Sequence, residues 1–180
     1  MPEFDFVGDI MDINYSDDTH ETISYANGNI ISRKKYDATN KLLSQWDYQY
    51  SGSQLTKIQF YEVVDGIAYS AGFRVYEYDD ASADPARFKE FSIHNPTTPI
   101  MTYVYTYGQA KGVLNAAPAA LRKYFVALIA FTEKNVVKVV DETRTWSYAY
   151  EFNDSGYPTE RVETSSTGQA HTITYDYTVN

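Results

Sequence analysis

Cysteine is absent from this chain of 180 residues. That excludes a disulfide scaffold, a thiolate metal site and a thiol nucleophile, since each needs sulfur. Leucine is scarce, with six residues, which argues against a helical bundle. Positive charge is also short: 15 Lys and Arg stand against 24 Asp and Glu, giving a formal charge of −9 and a pI near 4.7. An acidic chain repels phosphates, so no nucleic-acid partner is expected. No apolar stretch reaches the roughly 20 residues that a transmembrane helix needs. The opening Met1-Pro2-Glu3-Phe4-Asp5-Phe6 has no basic region followed by an apolar run, so no signal peptide is expected within the chain.

Aromatic residues fill the gap. Leu, Ile, Val and Phe make up 39 residues, about 22% of the chain, close to the roughly 20% floor for folded domains. Eighteen Tyr and two Trp supply the missing apolar area, each ring burying ~150–250 Å². Val, Ile, Thr, Tyr, Phe and Trp together are 70 residues, the side chains that suit a pleated, half-buried surface. The composition predicts a mainly-β fold with an aromatic core.

The arrangement agrees. Trp146, Tyr148, Tyr150 and Phe152 fall on one face at period two, and Asn153-Asp154-Ser155-Gly156 then reads as a type I turn closed by glycine at positive φ. Trp46, Tyr48 and Tyr50 precede Ser51-Gly52 and a second run through Leu55, Ile58 and Phe60. Asn27-Gly28 between Tyr25 and Ile30 is a strong two-residue hairpin signal. Further alternating runs follow Phe73, Met101 and Ile173. The spacing predicts a single domain over 1–180, a curved antiparallel β-meander of about ten strands, open or nearly closed as a barrel. Residues 79–99, rich in Asp and Pro, read as a long loop with a short strand near 88–93.

One stretch departs from the β pattern. From Pro118 through Leu121, Phe125 and Leu128 to Phe131 only Arg122 and Lys123 are polar. Pro118 suits a first helical turn and Asn115 a cap. An apolar helix over 118–131, buried in the sheet's concavity, is the expectation.

The C-terminal portion carries a family resemblance. Lys134-Asn135-Val136-Val137-Lys138-Val139 is followed by Tyr148-Ala-Tyr150-Glu-Phe152-Asn-Asp-Ser-Gly156-Tyr157-Pro158, then by Thr172-Ile-Thr-Tyr175-Asp-Tyr177. This resembles secreted or lipid-anchored Bacteroidetes proteins with a domain of unknown function and a porin-like fold. The close match spans about the last fifty residues. The resemblance implies an envelope location, a lipid anchor upstream of Met1 and a barrel-like sheet. It brings no catalytic residue.

Catalytic and metal motifs are missing. His20, His94 and His171 lie far apart, without ligand spacing. No serine sits in a nucleophile elbow. Acidic residues gather at Asp9, Asp12, Asp17, Asp18 and Glu21, and at Asp79, Asp80 and Asp84. Paired carboxylates could cleave a glycosidic bond or hold calcium, but acids of this kind more often serve turns and a solvated surface. The aromatic stripes at Trp46/Tyr48/Tyr50 and Trp146/Tyr148/Tyr150 are core if they face inward, and platforms for sugars or apolar ligands if they do not. The sequence therefore points to a non-enzymatic envelope protein that binds a small molecule, glycan or envelope protein, with no catalytic residue, metal or cofactor assigned. One alternative is a carrier of a lipid-like molecule, with 114–131 as plug. Another is a carbohydrate-active hydrolase.

Overall fold

The structure, a computed structural model, describes residues 3–7, 10–79, 83–112 and 133–176. Its thirteen strands are β1 (Glu3–Val7), β2 (Ile10–Asn14), β3 (His20–Ala26), β4 (Asn29–Tyr36), β5 (Leu42–Ser51), β6 (Gln54–Val64), β7 (Ile67–Glu77), β8 (Arg87–Ser92), β9 (Met101–Lys111), β10 (Lys134–Val140), β11 (Thr145–Phe152), β12 (Pro158–Ser165) and β13 (Ala170–Thr174). Hydrogen bonds join them in sequence order, and β1 and β13 are the two ends of that order.

Mainly β is right, but the expected sheet wrapped round a helix is not what is found. Among the described residues there are only strands, turns and loops, and strand side chains supply the buried clusters. The predicted helix at 118–131 lies outside the described residues. The strand count also exceeds the expected ten. In β2, Asp12 lies between the fully buried Met11 and Ile13, so the period of two survives a charged outer position.

The chain divides into two compact units, residues 1–76 with 89–100, and residues 77–88 with 101–180. In the first, residues directly opposed across strands share a face. Met11 opposes Ile23, Ile23 opposes Arg33, Arg33 opposes Trp46, Trp46 opposes Phe60 and Phe60 opposes Gly72. This row and its neighbours form the buried face. Met11, Ile13, Ile23, Ile30, Leu55 and Ile58 are almost wholly enclosed there, each burial contributing about 1.5–3 kcal/mol. Gly72 belongs to the row because the Phe91 carbonyl of β8 occupies the space a Cβ would need.

In the second unit the buried cluster is Val136, Val139 and Tyr148, with Tyr103, Tyr105, Tyr107, Trp146 and Tyr150 packed against it. The predicted aromatic core is therefore present, and rings of β9 and β11 flank the valines of β10.

Local turn chemistry sets the register. Residues 15–19, 37–41, 153–157 and 165–169 repeat one frame. The first N–H donates to the fifth carbonyl, and the fourth N–H donates to the first carbonyl. The fourth residue is left-handed in each: Asp18, Asn40, Gly156 and Gly168, with φ of 60, 64, 76 and 83°. Asn27-Gly28 and Asp65-Gly66 both have two positive φ angles, the type I′ geometry that matches strand twist.

Candidate functional site

The two faces of the first unit differ in chemistry. On the buried face, Arg33 donates to Glu21 through both Nε and Nη2, at 2.7 and 2.9 Å. Its guanidinium lies 4.9 Å from the centre of the Trp46 ring. The Tyr48 hydroxyl hydrogen-bonds the same guanidinium, and burial pushes the Tyr48 phenol up to about 12. Further along, Arg74 donates to Glu90 at 2.7 Å, stacks over Phe60 at 5.1 Å and hydrogen-bonds Tyr76. Each cation is matched by a carboxylate and an aromatic face, as charges withdrawn from water require.

The second unit repeats the device. Arg161 lies over Tyr148 at 5.1 Å and beside Glu163 at 3.5 Å. The Tyr150 hydroxyl donates to the Val136 carbonyl at 2.7 Å, and burial raises its phenol to about 12. Burial also drives the Tyr107 and Tyr148 phenols far above their ordinary value. The Tyr107 hydroxyl donates to the Pro85 carbonyl at 2.6 Å. The Asp84 carboxylate accepts the Glu133 and Lys134 N–H groups at 2.6 and 3.0 Å. These polar groups hold strands to one another.

The other face of the first unit is open and polar. Its successive opposed residues include Asp12, Thr22, Lys34, Gln45 and Tyr61. Asp12, Asn14, His20, Thr22 and Asn40 line a recess of about 380 Å³ here. Asp12 opposes Thr22, and Asn14 opposes His20. Asn40 reaches the recess from the left-handed position of the 37–41 turn. The Thr22 hydroxyl donates to Asp12 Oδ1 at 2.9 Å. The His20 ring stacks on Tyr36, with centroids 4.9 Å apart and planes 12° from parallel.

These two faces sort the residues that the sequence singled out. Trp46, Tyr48, Trp146, Tyr148 and Tyr150 turn to the buried side, so those stripes are core and not exposed platforms. The first acidic group is split: Asp12 lines the recess, Asp17 and Asp18 sit in a turn, and Glu21 is paired beneath. In the second group, Asp79 is exposed near Arg87, and Asp84 is buried on backbone amides. Asp9 and Asp80 lie outside the described residues. Of the histidines, His20 alone lines the recess; His94 is in an exposed turn and His171 on exposed β13. Among the described residues no three His, Cys, Asp or Glu side chains gather as metal ligands. Asn14, Thr22 and Asn40 went unmarked, since no motif spacing joins two strand positions to a turn residue many positions later.

A comparison with protein-family models finds no match, and one with curated proteins finds none either. Among solved structures, the chain is similar to a porin-like protein from Bacteroides uniformis ATCC 8492. The TM-score is 0.64 at 12% identity, over 95% of this chain and 73% of that one. It is also similar to a porin-like protein from Bacteroides vulgatus ATCC 8482, with a TM-score of 0.63 at 11% identity, over 99% of this chain and 88% of that one. The fold is therefore porin-like. The likeness is one of fold and assigns no activity.

Proposed function

We propose that the chain is a non-enzymatic protein of the cell envelope that binds a ligand on the open face of its first unit. One observation carries this reading: the shifted titratable groups of the buried faces are committed to holding strands together, while the polar groups of the recess face outward. Catalytic acids and bases work best with pKa values near the operating pH. The Tyr48 and Tyr150 phenols are displaced to about 12, away from it. The Asp84 carboxyl is pushed up by burial, but both oxygens accept backbone N–H groups. A hydrolase would need two carboxylates facing a cleft, and among the described side chains Asp12 is the one carboxylate lining the recess. Likeness to porin-like proteins of Bacteroides supports the envelope location. A lipid carrier would need an apolar cavity, whereas amide, hydroxyl, carboxylate and imidazole groups line this recess.

Two measurements test the proposal. Fractionation of cells expressing the native gene should recover the protein with the envelope; recovery with the cytosol would reject the location. A broad glycosidase, esterase and phosphatase panel should show no turnover. Turnover abolished by Asp12→Asn would reject the non-enzymatic reading.

A further inference from the structure

We infer that the recess formed by Asp12, Asn14, His20, Thr22 and Asn40 binds a neutral polyhydroxylated molecule of saccharide type. This rests on the binding reading above and adds the chemistry of the ligand and the residues that hold it.

The lining selects among ligand classes by what it offers. Two side-chain amides, a carboxylate, a hydroxyl and an imidazole line an open recess of about 380 Å³, within the roughly 300–1,000 Å³ of small-molecule sites. An anion would meet Asp12, with no Lys or Arg among the described lining residues. A hydrocarbon would strip water from five polar side chains without replacing their hydrogen bonds. A sugar hydroxyl both donates and accepts. Each Asn amide likewise carries two donors and an acceptor, and the Asp12 carboxylate accepts. Neighbouring hydroxyls can therefore be read in pairs.

Asp12, His20 and the backbone at Asn40 are held in place before any ligand arrives. The Thr22 hydroxyl fixes Asp12 from β3. The Tyr36 ring, opposite His20 on β4, stacks against the His20 ring. Asp37 Oδ1 accepts the N–H groups of Thr39 and Lys41 at 2.8 and 3.0 Å, which rigidifies the turn presenting Asn40. Neither Asn14 nor Asn40 makes a side-chain hydrogen bond with another described residue, so their amides remain open to a ligand. Preorganised groups lose little entropy on binding.

The test uses the full chain in saturation-transfer and titration NMR. The probes are glucose, galactose, mannose, N-acetylglucosamine and cellobiose, with inorganic phosphate, calcium chloride and laurate as contrasts. Asn14→Ala and Asn40→Gly are the variants; glycine keeps the left-handed backbone at 40 and removes only the amide. At least one saccharide should bind, the contrasts should not, and each variant should weaken binding about tenfold, ~1.4 kcal/mol. Both variants should keep the parent melting temperature. Absence of binding by every sugar would overturn the inference. So would sugar binding that both variants leave intact, or occupation of the recess by phosphate, calcium or laurate. None of these results bears on where the protein resides or whether it turns over a substrate.

Discussion

Arg33 and Glu21 stand on adjacent strands of one buried face and meet through two hydrogen bonds of 2.7 and 2.9 Å, with the Glu21 side chain 3% exposed and that of Arg33 24%. The pair is asymmetric: the carboxylate is sealed in and the guanidinium reaches partly to solvent. Removing the cation takes two charge-assisted hydrogen bonds away from a buried anion. Arg33→Met should therefore destabilise the chain by about 3 kcal/mol. Glu21→Gln/Arg33→Met should recover much of that loss, because the amide carries no charge. Urea unfolding of the two singles and the double gives the coupling energy. A coupling near zero would show that the two side chains are held independently.

Gly72 gives a steric prediction. A Cβ there would run into the Phe91 carbonyl, and backbone is harder to displace than a side chain. The Gly72 carbonyl also accepts the Gln59 side-chain amide at 2.7 Å. Gly72→Ala should cost about 1–3 kcal/mol by overpacking. Gly52→Ala is the contrast: its Cβ meets nothing, so its cost comes only from the positive φ of 60°. If thermal melts rank the two alike, close approach of β8 is not the reason for glycine at 72.

How far the sequence could be read follows from the range of its signals. Asn27-Gly28 and Asn153 to Gly156 announced their hairpins because turn chemistry acts over two to five residues. The Trp46 and Trp146 stripes were recognisable as strands from their period of two. Which side they took was not, because alternation names two faces without saying which is covered. β2 was obscured by its acids, although Met11 and Ile13 carry a clear alternation. The helix expected at 118–131 rested on apolar composition, and the described fold obtains its cores from rings and aliphatics on strands instead. The recess was the least legible feature. Asn14 and Asn40 come together through register and a left-handed turn residue, and neither leaves a short-range mark.

The buried phenols make alkaline stability predictable in sign. Burial raises Tyr48 and Tyr150 from an ordinary value of 10 to about 12. A proton held more tightly in the folded state stabilises fully below the unfolded value and is lost as pH rises through the folded one. Unfolding free energy should thus hold up to pH 10 and decline between 10 and 12. Phenolate absorbance should show some tyrosines titrating late, together with unfolding. Tyr48→Phe should flatten the decline while losing the contact with Arg33. A steady free energy across that range would contradict the burial of these hydroxyls.

Asp84 presents two opposing effects whose balance can be measured. Burial disfavours its charge and moves its carboxyl upward, while the Glu133 and Lys134 N–H groups pull it back. Both N–H groups stand at the start of β10, so the carboxylate fastens the loop after β7 to a strand far along the chain. Asparagine would keep one acceptor and point an amide N–H at the other backbone N–H. Asp84→Asn should therefore destabilise at neutral pH by about 1–3 kcal/mol, the penalty for an unsatisfied buried donor. The pH dependence separates this from simple loss of packing. Because the folded carboxyl binds its proton more tightly than the ordinary 3.8, the parent gains stability relative to the variant as pH falls toward that value. The gap between the two should be widest in acid and narrow as pH rises through the folded value. A gap that stays constant with pH would mean that Asp84 acts through its shape alone, and a more stable variant would mean that desolvation outweighs the two hydrogen bonds.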